Sequence, residues 1–122
     1  MAQTRPVRRR VLVVEDHAGI CSTTTDILEL AGYEAVGVAS IDEARERLAD
    51  DEVDLILLDV GADYSGVKLL HGLPDPPPVI LMSGYKDRRS DPRGSTFLAK
   101  PFSPHQLLDE VERELTPLQR ES

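Results

Sequence analysis

The segment VDLILL, at positions 53–58, is apolar at nearly every position and ends directly before Asp59. A strand with one face in water alternates apolar and polar side chains, whereas a parallel strand covered on both faces is apolar almost throughout. Two more short segments, VLVV at 11–14 and VILM at 79–82, have the same character. The chain is therefore predicted to form a parallel β-sheet with helices packed on both faces.

Helical patterns alternate with these strands. Two capping-box sequences, SIDE at 40–43 and SPHQ at 103–106, predict helix starts, and Gly32 predicts a helix end. The predicted helices are 20–31, 40–48, a weaker 66–73 and a last helix that begins after Ser103, and the remaining predicted strands are 33–39 and 96–99. The order β-α-β-α-β-α-β, a gap and then β-α is typical of a doubly wound α/β domain.

Length and composition fit one folded unit. A chain of 122 residues can bury one hydrophobic core, and we expect the domain to cover 11–116, between a basic leader at 1–10 and a tail at 117–122. No apolar run approaches the roughly 20 residues of a membrane-spanning helix. The apolar run VLVV is also too short for a signal peptide. We therefore expect a cytoplasmic protein.

Charge and aromatic content argue against nucleic-acid binding. The formal net charge is −8, which disfavours neutralisation of phosphates, and two Phe, three Tyr and no Trp leave little for base stacking. Cys21, the single cysteine, excludes an internal disulfide and is expected to be a small buried side chain. The three histidines lack ligand spacing, so we expect surface or cap roles and no transition-metal site.

Polar side chains stand where the predicted strands end: Glu15 and Asp16, Asp59, Ser83 and Lys100. The carboxyl ends of parallel strands meet at one edge of the sheet, so these side chains are expected to share a cleft. Clustered carboxylates need a cation, and oxygen ligands suit Mg²⁺. A metal ion and Lys100 could together hold a phosphoryl group, with Asp59 as nucleophile. A lone strand-ending Asp is usually a turn or cap residue, so the prediction depends on the whole group.

Four segments in order resemble the receiver domain of two-component response regulators: VLVVED at 11–16, LILLD at 55–59, VILMSG at 79–84 and FLAKPF at 97–102. The likeness covers almost the whole chain, although no single segment is decisive. It implies a flavodoxin-like sheet of strand order 2-1-3-4-5. It also implies a domain that takes a phosphoryl group from a phosphohistidine of a sensor histidine kinase or histidine phosphotransfer protein and then changes its protein contacts.

The resemblance implies a role for each site residue. Asp59 accepts the phosphoryl group, while Ser83 and Lys100 contact its oxygens, and the Lys100–Pro101 bond is usually cis. Ser83 and Phe97 form the switch, with the Phe97 ring turning inward on phosphorylation. Such a domain catalyses its own phosphorylation and dephosphorylation and is not a turnover enzyme. The implied Mg²⁺ ligands are Asp16 directly, Glu15 through water, Asp59, and the backbone carbonyl of Gly61.

The loop after Asp59 departs from the family pattern. It reads VGAD, without the Met-Pro or Leu-Pro that is common there, and Gly66 stands at +7 where receivers have a glycine at +8. Asp63 is expected to add negative charge near the site. This altered loop motivates an alternative, a receiver fold that serves as an interaction module and is no longer phosphorylated.

The segment before the fifth strand is also unusual. Only 17 positions separate Ser83 from Lys100, and the intervening sequence holds Pro92 and Gly94 without apolar periodicity. We predict that the fourth helix, between the fourth and fifth strands, is truncated or absent and that a mobile loop replaces it. Tyr85, two positions after Ser83, would lie beside the site entrance in this family and could slow attacking water.

Two other kinds of α/β domain fit the sequence less well than a receiver domain. A phosphatase of the haloacid dehalogenase type requires a second Asp two positions after its nucleophile, where this chain has Gly61. A dinucleotide-binding domain requires a Gly-rich turn after the first strand, where the chain reads EDHAG at 15–19. A free-standing regulator acting through protein contacts and a receiver from a hybrid kinase both remain open.

Overall fold

Five parallel strands form one sheet, and helices cover both of its faces. The computed structural model describes residues 8–59, 72, 75–83 and 96–116. The strands are β1 (Arg10–Val14), β2 (Glu34–Val38), β3 (Leu55–Asp59), β4 (Val79–Ser83) and β5 (Thr96–Ala99). The helices that lie in the described residues are α1 (Ala18–Leu30), α2 (Ile41–Asp50) and α3 (Pro104–Leu115).

The strand order is β2-β1-β3-β4-β5, and every neighbouring pair is parallel. The chain moves outward from β1 to β2 and then returns to place β3, β4 and β5 on the other side of β1. The winding direction therefore changes between β1 and β3, and ligands of such sheets bind beside this switch point. The predicted doubly wound, flavodoxin-like fold is confirmed.

Successive strand side chains point to opposite faces and build two separate cores. On the face covered by α2, the buried residues include Leu12, Val14, Ile56, Leu58, Leu81 and Ala44. On the face covered by α1 and α3, they include Val11, Val13, Leu55, Leu57, Ile80, Met82, Leu28, Leu107 and Val111. Both faces of the central strands are thus removed from water, which explains why their sequences are continuously apolar.

The ends of α1 and α2 largely follow the predicted signals. Ser40 caps α2, and its side chain accepts the N–H of Glu43 at 3.2 Å. Glu43 reaches back as expected, but its carboxylate accepts the N–H of Ala39, at 2.8 Å, rather than that of Ser40. Gly32 follows α1 with φ of +100°, a conformation that costs glycine little and other residues more.

The start of β3 differs from the prediction because Asp54 binds Arg10. The N–H of Arg10 is donated to the Asp54 carboxylate at 2.8 Å, and the N–H of Asp54 is donated to the Arg10 carbonyl at 2.9 Å. The Arg10 guanidinium also pairs with Glu34 at 3.1 Å and with Asp51 at 3.8 Å. This edge, where the strands begin, is therefore closed by ion pairs that join β1, β2 and the α2–β3 loop.

A complete capping box starts α3. Ser103 Oγ accepts the N–H of Gln106 at 3.1 Å, and the Gln106 side chain accepts the N–H of Ser103 at 2.8 Å. Ser103→Ala is expected to lower the free energy of unfolding by about 1 kcal/mol, because one helix N–H loses its acceptor. Urea denaturation measures this. Ser22→Ala, inside α1 and exposed, is the control and should change it by less than about 0.5 kcal/mol. Equal losses would contradict the capping role.

Several predictions lie outside the described residues. These are most of the helix at 66–73, the truncated or absent fourth helix and its mobile loop, the leader before Arg8 and the tail from 117 onward. Within the described part, no helix has the length and apolar character needed to cross a membrane. Cys21 is partly buried rather than fully buried, because it lies over the edge strand β2.

Candidate functional site

The pairing of β1 with β3 brings two acidic residues together. Val14 lies opposite Leu58, so the residues that follow, Glu15 and Asp59, are neighbours at the carboxyl edge of the sheet. Glu15 is 3% exposed and Asp59 is partly buried. Two carboxylates thus stand at the switch point in surroundings that screen charge poorly.

The pairing of β4 with β5 brings a hydroxyl and an amine to the same edge. Ser83 lies opposite Ala99, and the next residue, Lys100, donates its N–H to the Ser83 carbonyl at 2.8 Å. Ser83 is 4% exposed. The Lys100–Pro101 bond is cis, as the family resemblance implies.

The ammonium of Lys100 joins the two carboxylates. Its Nζ lies 2.9 Å from Glu15 Oε1 and 3.1 Å from Asp59 Oδ1. The Lys100 and Asp59 side chains are 18% and 17% exposed, and that of Glu15 is 1% exposed. Because a buried carboxylate without a partner is strongly unfavourable, the lysine stabilises the pair and binds the ends of β1, β3 and β5 to one another.

Glu15 is held at both carboxylate oxygens. Lys100 contacts Oε1, and Oε2 accepts the backbone N–H of His17 at 3.2 Å. The backbone N–H of Glu15 is donated to the Val38 carbonyl in β2 at 3.0 Å. His17 is the N-cap of α1, where Nδ1 accepts the N–H of Ile20 at 3.4 Å. The cap role expected for a histidine is confirmed, whereas the His17 N–H contact to Glu15 was not predicted.

The pKa of Lys100 is raised above its ordinary value. Burial taken alone lowers this pKa, because it penalises the charged amine. The hydrogen bonds and negative charges of Glu15 and Asp59 together outweigh burial. The lysine therefore keeps its positive charge at neutral pH and acts as a fixed cation in the site.

The acidic group fits a magnesium ion. Glu15, Asp16 and Asp59 each place a carboxylate oxygen within 4.8 Å of the other two. Within the described residues three carboxylates face the single ammonium of Lys100, so negative charge is in excess. Asp16 is exposed and can contact an ion directly, whereas both Glu15 oxygens already accept hydrogen bonds, which suits contact through water. Carboxylates and retained water are the ligands that Mg²⁺ prefers.

A surface groove between α1 and β2 adjoins the acidic group. This groove of about 470 Å³ begins at Glu15 and Asp16 and continues past Ser22 and Gly37. Two of the three carboxylates, those of Glu15 and Asp16, therefore line a groove at the protein surface.

Phe97 lies on β5, three positions before Lys100. It pairs with Leu81 and packs, partly buried, against the core on the α2 face. An aromatic ring that is not fully buried is compatible with two orientations, but its switching role stays a prediction. Three other predicted site residues, Gly61, Asp63 and Tyr85, lie outside the described residues.

Comparisons with known proteins agree with the geometry. A family model described as the response regulator receiver domain matches residues 11–112. The phosphate regulon transcriptional regulatory protein PhoB of Klebsiella pneumoniae is 31% identical in an alignment that covers 90% of this chain and 54% of that protein. The chain thus spans about half the length of the curated relatives that it matches first.

Solved structures share the fold. A response regulator receiver domain protein (CheY-like) from Methanospirillum hungatei JF-1 has a TM-score of 0.78 at 25% identity, covering 95% of this chain and all (100%) of that one. The signal receiver domain of a signal transduction histidine kinase from Syntrophus aciditrophicus has a TM-score of 0.77 at 31% identity, covering 92% of this chain and 93% of that one. The fold is thus similar to a receiver domain named as a response regulator's and to one named as a histidine kinase's.

Proposed function

The chain belongs to the response regulator receiver domain family, and from this premise we propose that Asp59 accepts a phosphoryl group in a Mg²⁺-dependent reaction. The donor is a phosphohistidine of a sensor histidine kinase or of a histidine phosphotransfer protein. The observation that carries the proposal is the ammonium of Lys100 in contact with both Glu15 and Asp59 at the switch-point edge of the sheet.

Asp59 is suited to be the acceptor. Lys100 contacts Oδ1, and Oδ2 has no hydrogen-bond partner in the described part of the chain. The side chain is 17% exposed, so a donor can approach it. In the transfer an O–P bond forms to Asp59 while the N–P bond of the phosphohistidine breaks, and the imidazole leaves with the electron pair of that bond.

Lys100 and Ser83 are suited to hold the transferred group. The lysine is charged and already lies 3.1 Å from the acceptor, so a small movement places it against a phosphoryl oxygen. Ser83 ends the neighbouring strand β4 at the same edge and supplies a hydroxyl donor. Fixed donors of this kind stabilise the charge that spreads over phosphoryl oxygens during transfer.

Asp16, Glu15 and Asp59 would hold the Mg²⁺, together with the carbonyl of Gly61 as the family resemblance implies. When bound, the ion neutralises charge on the carboxylates and on the incoming phosphoryl oxygens. Glu15 contributes by its fixed position, because Lys100 and the His17 N–H hold its two oxygens.

The added phosphate supplies the switching signal. It adds nearly two negative charges at the edge of the sheet where Lys100 and Ser83 lie. A conformation that draws Ser83 toward the phosphate and leaves room for Phe97 to turn inward is then favoured over the resting one. The output is a change of protein contacts, with a downstream protein as the partner.

Mass spectrometry after incubation with acetyl phosphate and Mg²⁺ tests the proposal. An adduct of about 80 Da is expected, corresponding to one phosphoryl group. EDTA should abolish it, since the acidic cluster would lose its cation. Asp59→Asn should also abolish it, whereas Asp50→Asn, an exposed acid at the end of α2, should retain it. Absence of the adduct at high acetyl phosphate would instead support the interaction module that is not phosphorylated.

A further inference from the structure

Gly37 lies on the edge strand β2 under the first turns of α1. A Cβ atom added to this glycine would stand 2.5 Å from Cys21 Sγ and 3.4 Å from Thr25 Cγ2. The first distance is shorter than real carbon–sulfur contacts, and the second is an ordinary contact. Two successive turns of α1 therefore lie as close to β2 as a glycine permits.

Backbone hydrogen bonds connect this close contact to Glu15 from both sides, through β2 and through α1. The backbone N–H of Glu15 is donated to the carbonyl of Val38, the residue after Gly37. Cys21, which contacts Gly37, donates its N–H to the His17 carbonyl at 2.9 Å. The N–H of His17 is in turn donated to the Glu15 carboxylate at 3.2 Å. A displacement of α1 away from β2 is thereby transmitted to the carboxylate that Lys100 holds.

We propose that Gly37 is a positioning residue for the metal and phosphoryl site: its lack of a side chain lets Cys21 pack against β2, and this contact holds α1 at the distance from β2 that positions the Glu15 carboxylate. This inference rests on the function proposed above, because it assigns a position-setting role toward the same Mg²⁺ site. Gly37 itself touches neither the ion nor the phosphoryl group.

A Cβ at position 37 requires Cys21 Sγ to move, either together with α1 or by rotation about χ1. A cysteine in a helix has two favourable χ1 rotamers, since the third drives the side chain into the preceding turn. Thr25 already contacts the same point from the next turn. The pKa of the Cys21 thiol is raised, first by burial and then by the charge of Glu15. This agrees with a thiol held inside the contact and near the site.

The test compares Mg²⁺ affinity and stability in the full chain. Gly37→Ala is expected to weaken Mg²⁺ binding about 3- to 10-fold in a calorimetric titration, less than the loss of a group that contacts a metal ligand directly. The double variant Gly37→Ala/Cys21→Ala adds a Cβ at position 37 and removes the sulfur at position 21, so the close contact does not form. This variant should therefore have the wild-type Mg²⁺ affinity. Acetyl phosphate labelling of the same proteins should follow the same order.

Gly32→Ala is the control for general destabilisation. Gly32 has a φ of +100° at the opposite end of α1, and a Cβ there would meet no atom within 4 Å. Its substitution strains the backbone without displacing the site, so stability should fall and Mg²⁺ affinity should not. Equal Mg²⁺ affinity of wild type and Gly37→Ala, or equal losses in Gly32→Ala and Gly37→Ala, would overturn the inference.

Two further outcomes are informative. If Gly37→Ala does not fold, the double variant decides: wild-type affinity there supports the positioning contact, and weakened affinity overturns it. If the wild-type protein itself does not bind Mg²⁺, the proposed function fails and the inference fails with it. A wild type that binds Mg²⁺ and a Gly37→Ala variant that binds it equally well refute the positioning role alone.

Discussion

Lys100→Met is expected to leave a protein that folds and binds Mg²⁺ but acquires the phosphoryl group on the order of 100-fold more slowly, the usual effect of removing one fixed donor to developing charge. Methionine keeps the unbranched shape of lysine and removes its charge. Lys100 Nζ lies 3.1 Å from Asp59 Oδ1, so the variant removes a positive charge beside the proposed phosphoryl acceptor. The rate of adduct formation with acetyl phosphate, followed by mass spectrometry, measures it.

The same variant should separate metal binding from transfer. In the wild type the ammonium of Lys100 neutralises part of the charge on Glu15 and Asp59, and it therefore competes with a divalent ion. Its removal is expected to raise Mg²⁺ affinity while the transfer rate falls. Arg47→Met is the matched control: it removes one positive charge from an exposed i,i+4 pair with Asp51 and should change neither quantity appreciably. A Lys100→Met protein with an unchanged labelling rate would contradict the role given to the lysine.

The stability difference between wild type and Lys100→Met should depend on pH in one direction. The pKa of Lys100 is raised in the folded state above its ordinary value of 10.5, so the charged form is stabilised by folding. This contribution is fully present below about pH 10.5 and disappears as the pH rises through the raised pKa. Without Mg²⁺, the difference in unfolding free energy is therefore expected to be constant near neutral pH and to shrink in strongly alkaline solution.

The fold was predictable because local and global signals agree in this chain. The segment 55–58 is apolar at every position, and the structure buries all of it between two helix layers. The Ser103 capping box is formed in full. Such features depend on residues close in sequence, so a single sequence reveals them.

The predictions that were wrong concern residues whose decisive contacts are with residues far away in the sequence. The apolar neighbours of Asp54 predict a strand at this position, yet Arg10, far away in sequence, binds the Asp54 carboxylate, and β3 begins at Leu55. Cys21 was expected to be buried, but it lies over Gly37 on an edge strand and stays partly exposed. Neither contact has a local sequence pattern.

The grouping of Glu15, Asp59 and Lys100 at one edge of the sheet was predictable, but the contacts among them were not. Strand-end positions and the family resemblance together indicate Glu15, Asp59 and Lys100. They do not indicate that Lys100 contacts Glu15 at 2.9 Å as well as Asp59. The contact of the His17 N–H with Glu15 is also invisible in the sequence, because every residue except proline carries a backbone N–H.

Leu57→Ala should have the largest effect on stability. Leu57 is fully buried in the central strand β3, between Val13 of β1 and Ile80 of β4, and it packs into the core under α1 and α3. Removing three heavy atoms there loses transfer free energy and leaves a cavity that the two neighbouring strands cannot close. The free energy of unfolding is expected to fall by about 3 to 4 kcal/mol.

A loss of that size is a large part of the roughly 5 to 15 kcal/mol that holds a domain folded, so a fraction of Leu57→Ala molecules should be unfolded at 37 °C. Leu30→Ala makes the same chemical change at the end of α1, where the side chain is 90% exposed, and should alter the unfolding free energy by less than about 0.5 kcal/mol. Urea denaturation of both variants measures the difference. Because Leu57 lies two positions before Asp59, Leu57→Ala should also label more slowly with acetyl phosphate in proportion to its unfolded fraction. Similar stability losses in the two variants would mean that the sheet does not bury Leu57 as described.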